Sequence, residues 1–322
     1  MTLKKIQLCF FSCIVLLLLV GCESERMEEI NTHQPFVASL NILEPSLTFY
    51  GQSGELIATW AFEKGYTGAA LIGFDHVLLY GYQLQQADII QISSGKLVHS
   101  IDVGLGITNG YYDKDTSQLF LTNGKTNELE SYTEKGELKK KVKLRNYPMS
   151  MTASKDYLYV INYKDTVLSV VHKEKLEVVD EWPISTSSQG LYVSHEHQEL
   201  WVGGHGIGNK PNKFVRVYSL STGQLTREFT LPLMPITFSK ADEDIIVSSH
   251  GSNTIYRVTV DGDILWQQDI GANPFAAAQF QDKLVVAGYD DHTLYFLEDG
   301  EIQKQVKTKD GPFQLLVRGD SH

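Results

Sequence analysis

The stretch Asp156-Tyr157-Leu158-Tyr159-Val160-Ile161-Asn162-Tyr163, continued by Lys164-Asp165 and then Thr166-Val167-Leu168-Ser169-Val170-Val171, decides the fold. Two apolar runs rich in β-branched and aromatic residues flank a short polar turn, which reads as a β-hairpin. The hairpin recurs. A turn that opens an apolar strand appears as Ser53-Gly54-Glu55-Leu56, Ser94-Gly95-Lys96-Leu97, Lys135-Gly136-Glu137-Leu138, Thr222-Gly223-Gln224-Leu225, Asp261-Gly262-Asp263-Ile264 and Asp299-Gly300-Glu301-Ile302, with a degenerate copy at Lys173-Glu174-Lys175-Leu176. Glycine suits such turns because positive φ costs it little. From each Gly (or Glu174) to the next, the spacings are 41, 41, 38, 49, 39 and 38 residues. A period near forty with about four short strands per repeat is the pattern of propeller blades.

A second marker runs out of phase with the first, a small or Pro-containing turn opening a strand: Tyr66-Thr67-Gly68, Gly106-Ile107-Thr108, Asn146-Tyr147-Pro148, Ser188-Gln189-Gly190, Leu233-Met234-Pro235, Ala272-Asn273-Pro274 and Asp310-Gly311-Pro312. The Gly54 turn has no such strand before it, and the strand at Phe313-Gln314-Leu315-Leu316-Val317 has no hairpin after it. These two half-units are expected to complete one blade together, hiding edges that invite aggregation. The expected fold is therefore all-β: a seven-bladed β-propeller of four-stranded antiparallel blades, closed by pairing N-terminal strands with the C-terminal one. Polar fourth strands such as Leu138-Lys139-Lys140-Lys141-Val142-Lys143 fit protected outer edges.

The N-terminus speaks to location. Lys4 and Lys5 precede an apolar core from Ile6 to Val20, and Leu19-Val20-Gly21-Cys22 ends in cysteine. This resembles the lipobox of bacterial lipoproteins, which implies lipidation of Cys22, cleavage before it and a lipid anchor. An ordinary cleaved signal or an uncleaved anchor is the alternative, although the apolar run is short for a span. The expected division is a signal peptide over 1–21, a lipidated acidic tether over 22–35 and the propeller over 36–322. An anchored, extracytoplasmic location is expected, on the outer membrane where the source cell has one.

Cys9, Cys13 and Cys22 are the only cysteines, so a mature body lacks thiols for disulfides, thiolate metal sites or a nucleophile. Without Lys4 and Lys5 the mature charge is −13, with no basic run to offset it. That excludes nucleic acid as the expected partner and argues against charge-driven adhesion to anionic lipid.

The segments Leu158-Tyr159-Val160-Ile161-Asn162 with Asp165-Thr166-Val167-Leu168-Ser169-Val170-Val171, and Ile245-Ile246-Val247 with Asn253-Thr254-Ile255-Tyr256-Arg257-Val258, resemble the YVTN repeat. That family comprises seven-bladed propellers of the YncE-like and quinoprotein-like group. WD40 repeats differ, since no blade here carries their Gly-His and Trp-Asp pairs. The resemblance implies the ring and leaves activity open.

Loops joining second to third strands, and blade to blade, should meet at the channel mouth. Candidate ligand-face residues are Tyr82, Asn123, Asn162, His205, His250 and Tyr289, with Asn162, His250 and Tyr289 expected at equivalent places. Gly203 to Lys213 enlarges one blade and is either a functional loop or a tolerated insertion. His205 and His250 are weak candidates for a divalent metal or an acid–base pair, a third ligand coming from Asp290, Asp291 or His292; solvated loop histidine is the plainer reading. His292 and Asp165 share a turn position with Asn253. Asp113-Lys114-Asp115 and Asp242-Glu243-Asp244 read as acidic turns, Ile264-Leu265-Trp266 as a quinoprotein-like strand with a core tryptophan, and Arg318-Gly319-Asp320 as an adhesion-like tripeptide in an exposed tail. No Gly-x-Ser-x-Gly elbow occurs.

The expected function is a non-catalytic binding platform for a protein or cell-envelope ligand, monomeric and without a resident cofactor. The alternative is a propeller lactonase, lyase or hydrolase using a divalent metal at the mouth, and a quinone-dependent redox protein is a weaker third.

Overall fold

The computed structural model describes residues 26–319, so the expected signal segment, Cys22 and Asp320 lie outside the described residues. Seven four-stranded antiparallel sheets form the blades of a propeller ring. Blade 4 shows the plan: inner strand Pro148–Ala153, then Tyr157–Asn162, Val167–His172 and outer strand Glu177–Pro183. Its second strand reads as an unbroken apolar run because neighbouring blades cover both faces; Leu158, Tyr159, Val160 and Ile161 are all buried. The outer strand of blade 3, Leu138–Lys143, is almost wholly exposed, and its lysines guard the edge. Between blades 4 and 5, Tyr159, Trp182, Val202 and Tyr218 form one of the wedge-shaped cores.

Blade 1 is shared between the chain ends, as the two half-units require. Its inner strand is Pro312–Arg318, which pairs antiparallel with Phe36–Asn41 in a register that sets Phe36 opposite Arg318. Ser46–Tyr50 and Leu56–Ala61 complete it. The turn glycines also pack between blades. A Cβ on Gly262 (φ 93°) would lie 2.4 Å from the Phe229 ring of the preceding blade, so that turn excludes a side chain on two counts.

Several local expectations change. The hairpin loop of blade 4 is four residues, Tyr163 to Thr166, since Asn162 pairs with Val167. Thr166, rather than Asp165, shares the left-handed position before the third strand with Asn127, Asn253 and His292. Asp113 is no simple acidic turn: its carboxylate meets Lys173 Nζ from blade 4 at 2.9 Å, with both side chains buried. Trp266 lies half-buried on the outer strand of blade 6, Ile264–Asp269, with Ile264 and Leu265 exposed beside it.

Arg318 is likewise no exposed tail residue. It is buried, lies over the Phe36 and Phe74 rings, and donates to the carbonyls of Asn31 (2.6 Å) and Gln34 (2.8 Å). Residues 26–35, expected within a polar tether, lie against the ring instead. The Met27 amide donates to Gly95 O at 2.8 Å, Trp60 Nε1 donates to Glu28 O at 2.9 Å, and Ile30 is buried in the blade 1–2 core. Met27 occupies the space over the Gly95 turn that the preceding blade's outer strand fills at Gly262 and Gly300, so the strap wedges the seam between blades 1 and 2.

Candidate functional site

The mouth is built where inner strands begin. Prolines open the inner strands of blades 6, 7 and 1, at Pro235, Pro274 and Pro312. The next residue in blades 7 and 1 is Phe, and the half-buried rings of Phe275 and Phe313 meet at 5.1 Å between centroids. Tyr289 joins them, 5.1 Å from Phe275 and 6.4 Å from Phe313. His250 stands edge-on to Phe275 at 4.8 Å, and His205 edge-on to His250 at 5.2 Å. Five rings thus form one crescent across blades 5, 6, 7 and 1.

Across the mouth, Tyr82 and Tyr147 approach at 6.2 Å, with Lys125 Nζ 5.2 Å from the Tyr82 ring and Lys164 Nζ 4.7 Å from the Tyr147 ring. These are cation–π arrangements, and they gather positive charge on one side of an acidic protein. Below lies a cavity of about 300 Å³ lined by Thr67, Asn109, Gln189, Phe275, Phe313 and Leu315 among others. Much of the channel's polar lining is committed to stitching blades together. Thr108 Oγ1 donates to Pro148 O (2.6 Å), Thr237 Oγ1 to Phe275 O (2.7 Å), and Gln314 exchanges hydrogen bonds with the Ala69 backbone at 2.8 and 2.9 Å.

Of the six candidate residues, Tyr82, His205, His250 and Tyr289 reach the mouth. Asn123 and Asn162 are buried. Asn123 Oδ1 accepts from the Lys125 and Thr126 amides, shaping its loop, and Asn162 Nδ2 donates to Val167 O and to Ser169 Oγ at 2.9 Å. The alignment that equated Asn162 with His250 is one residue out, because Asn162 ends its strand as Ser249 and Gly288 end theirs. Tyr163 is the residue that matches His250 and Tyr289. Sequence reasoning passed over Phe275, Phe313 and Tyr147, although each adjoins a proline of the second repeat marker.

Both histidines titrate below the ordinary imidazole value. Burial is the main cause for each; His205 is lowered further by His250, whereas Asn273 and the charge on Asp290 partly offset the shift of His250. A pair of neutral imidazoles suits a soft or borderline metal; of the suggested third ligands, Asp291 and His292 are engaged elsewhere, and Asp290 reaches His250 through its charge. The Tyr295 hydroxyl donates to Asp291, and His292 Nδ1 accepts from the Gly311 amide with Asp310 3.7 Å from its Nε2. Among the described residues, no group of three or more His, Cys, Asp or Glu side chains is placed to hold a metal ion. The loop from Gly203 to Lys213 folds into a short hairpin, Gly206–Ile207 with Lys210–Pro211, roofing a cavity of about 460 Å³ beside His205.

No family model matches the chain, and no curated protein matches it. Solved structures do. A functionally unknown protein from Desulfotomaculum acetoxidans superposes with a TM-score of 0.76 at 10% identity, over 89% of this chain and 100% of its own. Virginiamycin B lyase from Staphylococcus aureus gives 0.66 at 15%, over 79% and 92%, and Kuenenia stuttgartiensis hydrazine synthase 0.67 at 11%, over 80% and 94%. A lyase and a synthase on one scaffold carry the fold and nothing further: the chain is a seven-bladed β-propeller closed by its own last strand.

Proposed function

We propose that this protein is a bacterial lipoprotein, anchored through Cys22 on the extracytoplasmic side, whose YVTN-like ring is a platform binding a protein or cell-envelope ligand at the channel mouth. The observation that supports this reading is the aromatic crescent. His205, His250, Phe275, Tyr289 and Phe313 lie half-buried and contiguous above a cavity, offering apolar faces with polar edges, as recognition sites do. The partner is a membrane-associated or surface component rather than nucleic acid, given the mature charge of −13.

A photo-crosslinking residue at Tyr289 in intact cells tests the proposal. A discrete adduct that disappears when Phe275 and Phe313 become alanine supports it. An identical adduct from Thr259, on the opposite face, sinks it. The alternative, a metal-assisted lactonase, lyase or hydrolase, has the His205–His250 contact in its favour. It requires turnover by the purified body that a chelator abolishes and that the His205→Ala, His250→Ala double variant lacks.

A further inference from the structure

Both ends of the described chain lie on the face opposite the mouth. Inner strands run from the mouth toward this face, where Pro312–Arg318 ends, and Phe36–Asn41, the second strand of the same blade, begins there. Turns joining third to outer strands lie on this face too. Upstream of Phe36 the strap crosses to blade 2, where Arg26 Nε donates to Ser94 O at 3.0 Å and the Met27 amide to Gly95 O at 2.8 Å. Cys22 precedes Arg26 by four residues, a reach of at most about 14 Å even when fully extended. A lipid on Cys22 therefore leaves the ring beside the outer turn of blade 2.

The outer strand that follows this turn, Lys96–Asp102, opens with an exposed leucine, Leu97. The same repeat position is exposed and apolar in four other blades, as Leu56, Leu138, Leu225 and Ile264, and Phe74, from the loop joining the inner and second strands of blade 2, is exposed on this face. Single exposed apolar side chains are ordinary. Here the position repeats around the face, and its copies in blades 1, 2 and 3 flank the point where the anchor must emerge. Charge offers no substitute for them, since the mature chain is acidic.

We propose that the ring is seated on the bilayer by this face, with Leu97, Leu56, Leu138 and Phe74 at the headgroup–acyl boundary, and that the aromatic mouth points away from the membrane. The seating rests on the anchor reading above. A bilayer is the occupant because only four residues of chain separate Cys22 from Arg26 at this face, and because an anchored ring meets its own membrane at high effective concentration.

The test uses the full lipidated chain in vesicles of zwitterionic phospholipid, with and without nitroxide-labelled lipid. Cys22 is the one cysteine of the mature chain, and once lipidated its sulfur carries the diacylglyceryl group as a thioether, so Leu97→Cys, Leu138→Cys and Lys125→Cys each give a single attachment point for a fluorophore. Labels at 97 and 138 are expected to lose roughly half or more of their fluorescence to the nitroxide, as interfacial side chains do, whereas the label at 125 keeps its signal. The loss is expected to persist in molar salt. Quenching at 125, or none at 97 and 138 in a chain that carries palmitate, overturns the seating alone. Absence of palmitate at Cys22, with wild type and Cys22→Ser equally soluble, overturns the anchor reading and the seating with it.

Discussion

Replacing Lys173 by methionine should be among the most damaging single changes available in blade 4. Its ammonium meets the Asp113 carboxylate of blade 3 at 2.9 Å, with the side chains only 4% and 3% exposed, and Thr116 Oγ1 gives Asp113 one further hydrogen bond at 2.9 Å. Removing one member of a buried pair leaves an uncompensated charge and costs about 3–5 kcal/mol, whereas a neutral pair at the same site is often no worse than the ions. Lys173→Met and Asp113→Asn should therefore each lose about 3–5 kcal/mol, and the double variant should recover most of it. In a ring of this size, that loss lowers Tm by roughly 5–10 °C in each single variant. Urea titrations of the four proteins complete a double-mutant cycle. If the single changes simply add, with a coupling under about 0.5 kcal/mol, the pair is not electrostatically isolated and the reasoning is wrong.

Three further outcomes are expected. Because burial lowers both His205 and His250, the unfolded chain binds protons more readily than the folded one; stability is whole above the ordinary imidazole value and declines as pH falls below it, and NMR should find both rings titrating below free histidine. At Asp88, burial alone would raise the carboxyl, but hydrogen bonds from Lys64, Ser100 and Tyr66 outweigh it and hold the group below the usual aspartate value. That contribution is present above pH ~4 and lost as pH falls through the lower folded value, so Asp88→Asn should flatten the acid limb of the stability curve. Arg318→Ala removes charged hydrogen bonds to the strap, costing about 1.5–3 kcal/mol locally, and trypsin should then cut after Arg26 faster than in the wild type.

The ring was legible because it is written seven times: turn glycines and apolar strands are local signals that repetition makes unambiguous. The blade shared between Phe36–Asn41 and Pro312–Arg318 followed from counting which half-units lacked a partner. The mouth was legible only in part. Whether Asn162 or Tyr163 faces the channel depends on where a strand stops, and a one-residue slip exchanges a buried side chain for an exposed one. Phe275 and Phe313 lie on different blades, 38 residues apart, and only closure of the ring makes them neighbours. The pairing of Lys173 with Asp113 is hidden in the sequence for the same reason, each looking like surface charge in a turn.

The borrowed inner strand of blade 1 also sets an order of events during biogenesis. Phe36 cannot find Arg318 until the 282 residues that follow it have been synthesised, so a polypeptide emerging N-terminus first must wait as an open arc. Through that interval the Phe36–Asn41 strand lacks the partner that later covers its free edge, a state in which nascent chains are prone to stick to one another. A ribosome that stops short of Pro312 would release a product able to form six blades and unable to lock. For this protein the strand Pro312–Arg318 decides whether the blades made before it stay folded as a ring.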